Sequence, residues 1–181
     1  MIDEIMEYNR KFVENKGYEP YLTSKYPDKK LAILTCMDTR LTELLPAALG
    51  IKNGDAKIIK NAGGVIVHPY GSVVRSLLVG ILELGVEEVM VIGHTDCGVQ
   101  GMDGNEMLEK LVERGIDQQH IDIVRHSGID LERWLGGFES VESSVHETVR
   151  RLKEHPLMPK NVRISGFIMD SATGELTRVE E

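Results

Sequence analysis

Apolar positions along this chain alternate between two rhythms. Leu31-Ala32-Ile33-Leu34-Thr35-Cys36 is a short apolar run after a charged turn, the pattern of a strand buried on both faces, with Cys36 at its carboxyl end. Leu41 to Leu49 follows with helical spacing. Ala56-Lys57-Ile58-Ile59-Lys60 predicts a second strand closing into the turn Asn61-Ala62-Gly63-Gly64, and Gly71 to Gly85 then has strong helical periodicity. Glu88-Val89-Met90-Val91-Ile92-Gly93 is the clearest strand and runs directly into His94-Thr95-Asp96-Cys97-Gly98. Further on, Met102 to Arg114 and Val141 to His155 predict helices and Arg163 to Met169 a strand, while Ser171-Ala172-Thr173-Gly174 predicts a turn into a short last strand. Residues 115 to 137 carry no readable pattern.

Ahead of the first strand, Ile2, Ile5, Met6, Phe12 and Val13 recur at three- and four-residue intervals, which predicts an amphipathic helix ending near Gly17. It forms an N-terminal helical arm of residues 1–17. The strand-helix alternation predicts an α/β fold. Its central β-sheet is mostly parallel and flanked by helices, with the arm at one end and a short C-terminal strand hairpin at the other, all in a single domain of residues 1–181. Ligands of such sheets lie beyond the carboxyl ends of the strands.

Charge and cysteine content narrow the function classes. Twenty-one basic against 29 acidic residues give a net charge of −8, which opposes binding to nucleic acid or to an anionic membrane surface. No apolar stretch approaches the roughly 20 residues that span a bilayer, and the acidic start lacks the features of a secretory signal. A cytoplasmic location is expected. Two cysteines, Cys36 and Cys97, are too few for a disulfide framework.

Those cysteines are open to two readings. His94-x-x-Cys97 offers an imidazole and a thiolate on one tight turn, and Cys36 ends a strand that a parallel sheet brings alongside. Such a nitrogen and sulfur set suits tetrahedral zinc with one position left open. Equally, free cysteines are common as small buried hydrophobes, and His94 can be a hydrogen-bonded turn residue. Asp38 and Arg40 lie two and four residues after Cys36. An extended exit from the strand lets them pair beside a metal, and a plain surface ion pair is the alternative. Thr95 and Asp96 suit a turn, and Asn61 to Gly64 suits either close backbone approach to a substrate or an ordinary turn. His68 is a loop histidine that can relay protons or do nothing, and His120, His126, His146 and His155 read as solvated or capping residues.

Cys36-Met37-Asp38-Thr39-Arg40, Asn61-Ala62-Gly63-Gly64 and Gly93-His94-Thr95-Asp96-Cys97-Gly98, in that order, resemble the beta-class carbonic anhydrases of the short bacterial and archaeal type. The resemblance implies Zn2+ held by Cys36, His94 and Cys97, with Asp38 and Arg40 as the catalytic dyad. It also implies that Asp38 can become a fourth ligand in a closed state. The implied reaction is reversible hydration of carbon dioxide to bicarbonate and a proton by hydroxide on zinc. Two thiolates make such a zinc electron-rich, so activity should rise with pH with a controlling pKa above the value of about 7 seen in three-histidine sites. Carbon disulfide or carbonyl sulfide hydrolysis on the same site and non-catalytic bicarbonate binding are the alternatives. A homodimer or higher homo-oligomer, built with the helical arm, is the implied assembly. The glutamine and aromatic pocket residues of larger members have no clear counterparts in this sequence.

Overall fold

The structure, a computed structural model, describes residues 1–179. Its centre is a five-stranded sheet of β1 (Leu31–Cys36), β2 (Ala56–Asn61), β3 (Glu88–His94), β4 (Arg163–Met169) and β5 (Leu176–Arg178) in the order β2-β1-β3-β4-β5. The first four strands are parallel and β5 runs antiparallel to β4. β1 and β3 are almost wholly buried, which is why they read as unbroken apolar runs, whereas the edge strand β2 alternates.

Seven α-helices accompany the strands among the described residues: α1 (Ile2–Glu14), α2 (Leu41–Ala48), α3 (Ser72–Leu84), α4 (Gly104–Glu113), α5 (Gln118–His126), α6 (Leu131–Leu135) and α7 (Val141–Glu154). α7 lays Val141, Val145, Val149 and Leu152 on the sheet, at the spacing of one helical face. It comes close because Gly93 has no side chain: a Cβ there would stand 2.7 Å from Val141 and 2.8 Å from Val145. Ser140 caps the start of this helix by accepting from the Ser143 N–H.

The chain from β1 passes through α2 to β2 on one side, then through α3 across to β3 on the other. Strand order therefore reverses between β1 and β3, the place where open α/β sheets hold their ligands. Cys36 ends β1 and His94 ends β3.

Residues 115–137, unreadable as sequence, contain α5 and α6. These short helices bury only Ile121 and Leu131, which join Leu108 of α4 in a satellite core. Caps at Asp117 and Asp130 start them, rather than long apolar periodicity. α1 buries no residue at all. No helix among the described residues is long and apolar enough to cross a membrane.

Candidate metal centre

The ligand atoms of Cys36, His94 and Cys97 lie within 4.8 Å of one another, and all three residues are buried. β1 delivers Cys36 and β3 delivers His94. The two strands are joined just beneath, where the buried Thr35 hydroxyl donates to the Ile92 carbonyl at 2.9 Å. Cys97 arrives on the loop that leaves β3, which is anchored by the Thr95 N–H to the Met169 carbonyl and by the Thr95 hydroxyl accepting from Ser171 N–H.

Three observations fit a metal. The two Sγ atoms are 3.9 Å apart, far longer than a disulfide and close to the separation of about 3.8 Å expected for two thiolates on one tetrahedral zinc. The His94 Nδ1 is 2.8 Å from the Thr95 carbonyl, which makes it the donor and leaves Nε2 with a free lone pair. That Nε2 is buried without a hydrogen-bond partner, an arrangement that is costly unless something accepts the lone pair. Burial pushes the Cys97 thiol up, and the adjacent Cys36 adds to this, so closing two thiolates together needs a cation.

Asp38 and Arg40 stand beside this cluster. The Arg40 N–H donates to Asp38 Oδ1 at 2.9 Å, closing an Asx turn. Its side chain adds bonds from Nε to Oδ1 at 3.1 Å and from Nη2 to Oδ2 at 2.9 Å. The pairing is as expected but its cause is different. The chain turns into α2 at Arg40 rather than leaving β1 extended, so a tight turn and not strand alternation brings the side chains together. Arg40 holds the Asp38 carboxyl at about 2 through these side-chain and backbone bonds, and the carboxylate in turn raises the guanidinium. Asp38 Oδ2 lies 3.8 Å from His94 Nε2, outside hydrogen-bond reach.

Asp96 is the partner that the spacing does not reveal. Its carboxylate accepts from Arg40 Nη1 at 2.8 Å, and its carbonyl accepts from Nη2 at 2.8 Å. Asp96 has a φ of 54°, a left-handed conformation that an aspartate tolerates better than most residues. An aspartate between His94 and Cys97, matched by an arginine four residues after Cys36, is the available signal. Gly64 lies in the turn that follows β2. Its φ is 66°, and a Cβ would lie 3.0 Å from the Cys36 nitrogen, so its close approach is to the backbone of β1.

Of the remaining histidines, His68 is exposed and accepts from the Tyr70 N–H, while His126 bonds the Asp122 carbonyl within its own helix. His120 and His146 are exposed. His155 follows the end of α7 as a cap residue but is only 4% exposed, a correction to the solvated alternative. Its acceptor, the Pro69 carbonyl, is 86 positions away and invisible to local pattern.

A mostly parallel α/β sheet carries at its switch point a buried Cys-His-Cys cluster that could hold a metal. The carbonic anhydrase family model matches residues 31–176, and the chain belongs to that family, in its beta class. The Bacillus subtilis protein YvdA, provisionally named a carbonic anhydrase, is 53% identical over 175 residues, covering 97% of this chain and 89% of its own. The crystal structure of beta-carbonic anhydrase isoform I from Trichomonas vaginalis superposes with a TM-score of 0.88 at 35% identity, over 99% of this chain and 97% of that one. A carbon disulfide hydrolase of Saccharolobus solfataricus is 32% identical over 163 residues, 83% of this chain and 78% of its own.

Proposed function

We propose that this protein is a zinc-dependent carbonic anhydrase that hydrates carbon dioxide to bicarbonate and a proton. Cys36, His94 and Cys97 hold the metal, and Asp38 with Arg40 serves the reaction. The observation that carries the reading is the clamp of Arg40 on both oxygens of Asp38, 3.8 Å from the free nitrogen of His94. A structural metal site has no use for a fixed, ionised carboxylate at its edge.

Zinc, when bound, acidifies a coordinated water and so supplies a nucleophile near neutral pH. The chain's own residues do the rest. Asp38, held at about 2, is ionised throughout the working range and can only accept; it takes a hydrogen bond from the reacting water and turns a lone pair towards the carbon. Arg40 keeps that carboxylate from swinging into the Cys-His-Cys cluster, where Asp38 would be the fourth ligand of a closed state. Thr95 fixes the His94 tautomer through its carbonyl, so the lone pair stays on Nε2.

Stopped-flow hydration by zinc-loaded protein, with Cys97→Ser alongside, tests the proposal. Turnover in the parent and its loss in the variant are expected. A stoichiometric zinc protein without hydration would leave only bicarbonate binding. The carbon disulfide hydrolase relative supplies a specific rival, so carbon disulfide is offered in parallel and faster turnover of it would replace the assigned substrate. The reading includes a homodimer formed through the exposed apolar face of α1, and a cytoplasmic location consistent with two free cysteines.

A further inference from the structure

The turn at Gly63–Gly64 packs against the Cys36 end of β1. Asn61 clamps its far side twice: its side-chain amide donates to the Val65 carbonyl at 2.7 Å, and its Oδ1 accepts from the Val65 N–H at 3.0 Å. Through its backbone carbonyl Asn61 also accepts from the Met37 N–H at 2.8 Å, next to Cys36. From Val65 the chain runs as an irregular segment to Gly71 before α3 begins. Val67, His68, Pro69 and Tyr70 are exposed, so little apolar burial fixes their path.

Two side chains, Arg151 of α7 and His155 just past its end, add to the anchoring that the buried Ile66 provides. Arg151 Nη1 donates to the Ile66 carbonyl at 2.7 Å, and His155 Nε2 bonds the Pro69 carbonyl at 2.9 Å. The His155 ring is itself fixed, because its Nδ1 accepts from the Leu157 N–H at 3.2 Å and the Tyr70 ring packs edge-on at 5.5 Å. Arg151 is fixed by Glu147, which accepts from its Nε at 2.7 Å. An unbroken series of contacts thus runs from α7 through residues 65–70 and Asn61 to the backbone that carries Cys36.

We propose that Arg151 and His155 are positioning residues for the metal centre: they anchor residues 65–70 to α7 and so hold the Asn61–Gly64 turn against the Cys36 end of β1. Neither residue belongs to the Cys-His-Cys cluster. Their effect on turnover rests on the carbonic anhydrase reading given above, but their effect on the turn does not. Arg150 is the natural control. It shares Glu147 with Arg151 and also bonds Glu154, yet makes no bond to residues 65–71 among the described residues.

The experiment compares Arg151→Met, Arg151→Lys and Arg150→Met in the full-length, zinc-loaded protein. Amide hydrogen exchange is read at Met37 and Val65, and stopped-flow hydration and zinc content are measured on the same samples. In Arg151→Met, exchange at both amides should rise about tenfold. Its kcat should fall about tenfold, the usual effect of losing an outer support of a metal site, while zinc stays at one per chain. Arg151→Lys should recover most of both effects, and Arg150→Met should match the parent. Equal exchange at Met37 in Arg151→Met and Arg150→Met overturns the proposal, as does faster exchange without a fall in kcat. If the parent does not hydrate carbon dioxide, the functional reading fails, and the Met37 and Val65 amides still decide whether α7 supports the turn.

Discussion

Arg40 and Asp96 meet across 56 positions of sequence, with the guanidinium bonded to both the carboxylate and the backbone carbonyl of the aspartate. One side chain therefore ties the loop after β1 to the loop after β3, the two loops that carry Asp38 and Cys97. With Nε and Nη2 on Asp38 and Nη1 and Nη2 on Asp96, the fork has little freedom left.

Removing that fork should separate catalysis from metal binding. Arg40→Ala is expected to lower kcat/KM by about 100-fold, the upper range for an outer partner of a metal site, while retaining stoichiometric zinc. Asp96→Asn keeps an oxygen acceptor and a residue that accepts a positive φ, so it should cost only about twofold. Hydration rates and metal analysis on the same preparations check both. Loss of zinc in Arg40→Ala would give Arg40 a folding role instead.

Metal uptake should release protons. Burial raises the Cys97 thiol, so in metal-free protein at neutral pH it carries its proton and must lose it to become a ligand. Calorimetric titration of zinc in buffers of different ionisation enthalpy should therefore show net proton release that falls by about one in Cys97→Ser. That variant should also bind zinc at least about tenfold more weakly. Buffer-independent heats would contradict the assignment of Cys97 as a ligand.

Acid stability has a separate origin on α7. Glu147 is held at about 2, below its ordinary value of 4.5, chiefly by hydrogen bonds from Arg150 and then Arg151. A depressed carboxyl contributes stability in full above its unfolded pKa and loses it as pH falls through the folded one. The contribution is thus whole above pH 4.5 and fades between there and about pH 2. Glu147 is partly exposed, so solvent screening keeps the effect small. Thermal melting of the parent and Glu147→Gln should differ at pH 6 and converge towards pH 2. A gap that widens in acid would reverse the sign.

What local pattern reveals here depends on how far apart the interacting groups lie. β1 is legible to the residue because a strand covered on both faces leaves a continuous apolar run, and Cys36 and His94 are legible as residues at strand ends. α6 is not, because a five-residue helix with one buried side chain has too few positions to establish a period. The Asp96–Arg40 bond and the His155–Pro69 bond are long-range, and each depends on a backbone conformation that no single residue announces. Gly64 shows the same limit in another form: a glycine reports that something comes close, and only the fold tells that the neighbour is Cys36.

The exposed helix α1 gives the last test. Ile2, Ile5, Met6 and Val13 are all more than half exposed, and none of the helix's thirteen residues is buried. An isolated helix of this length is marginal in water, so its order requires a surface to pack on. Phe12 meets Tyr21, just beyond the arm, at 6.4 Å, which ties the arm to the chain that follows without covering the apolar stripe. A second copy of the chain is the proposed cover, each such side chain contributing about 1.5–3 kcal/mol when fully buried. Deleting residues 1–17 should weaken self-association by at least about 100-fold, the equivalent of roughly 2.7 kcal/mol. Light scattering should then move from dimer or larger to monomer, and the melting temperature of the intact chain, unlike that of the truncated one, should rise with protein concentration. A parent that scatters as a monomer at all concentrations would leave α1 without the partner proposed for it.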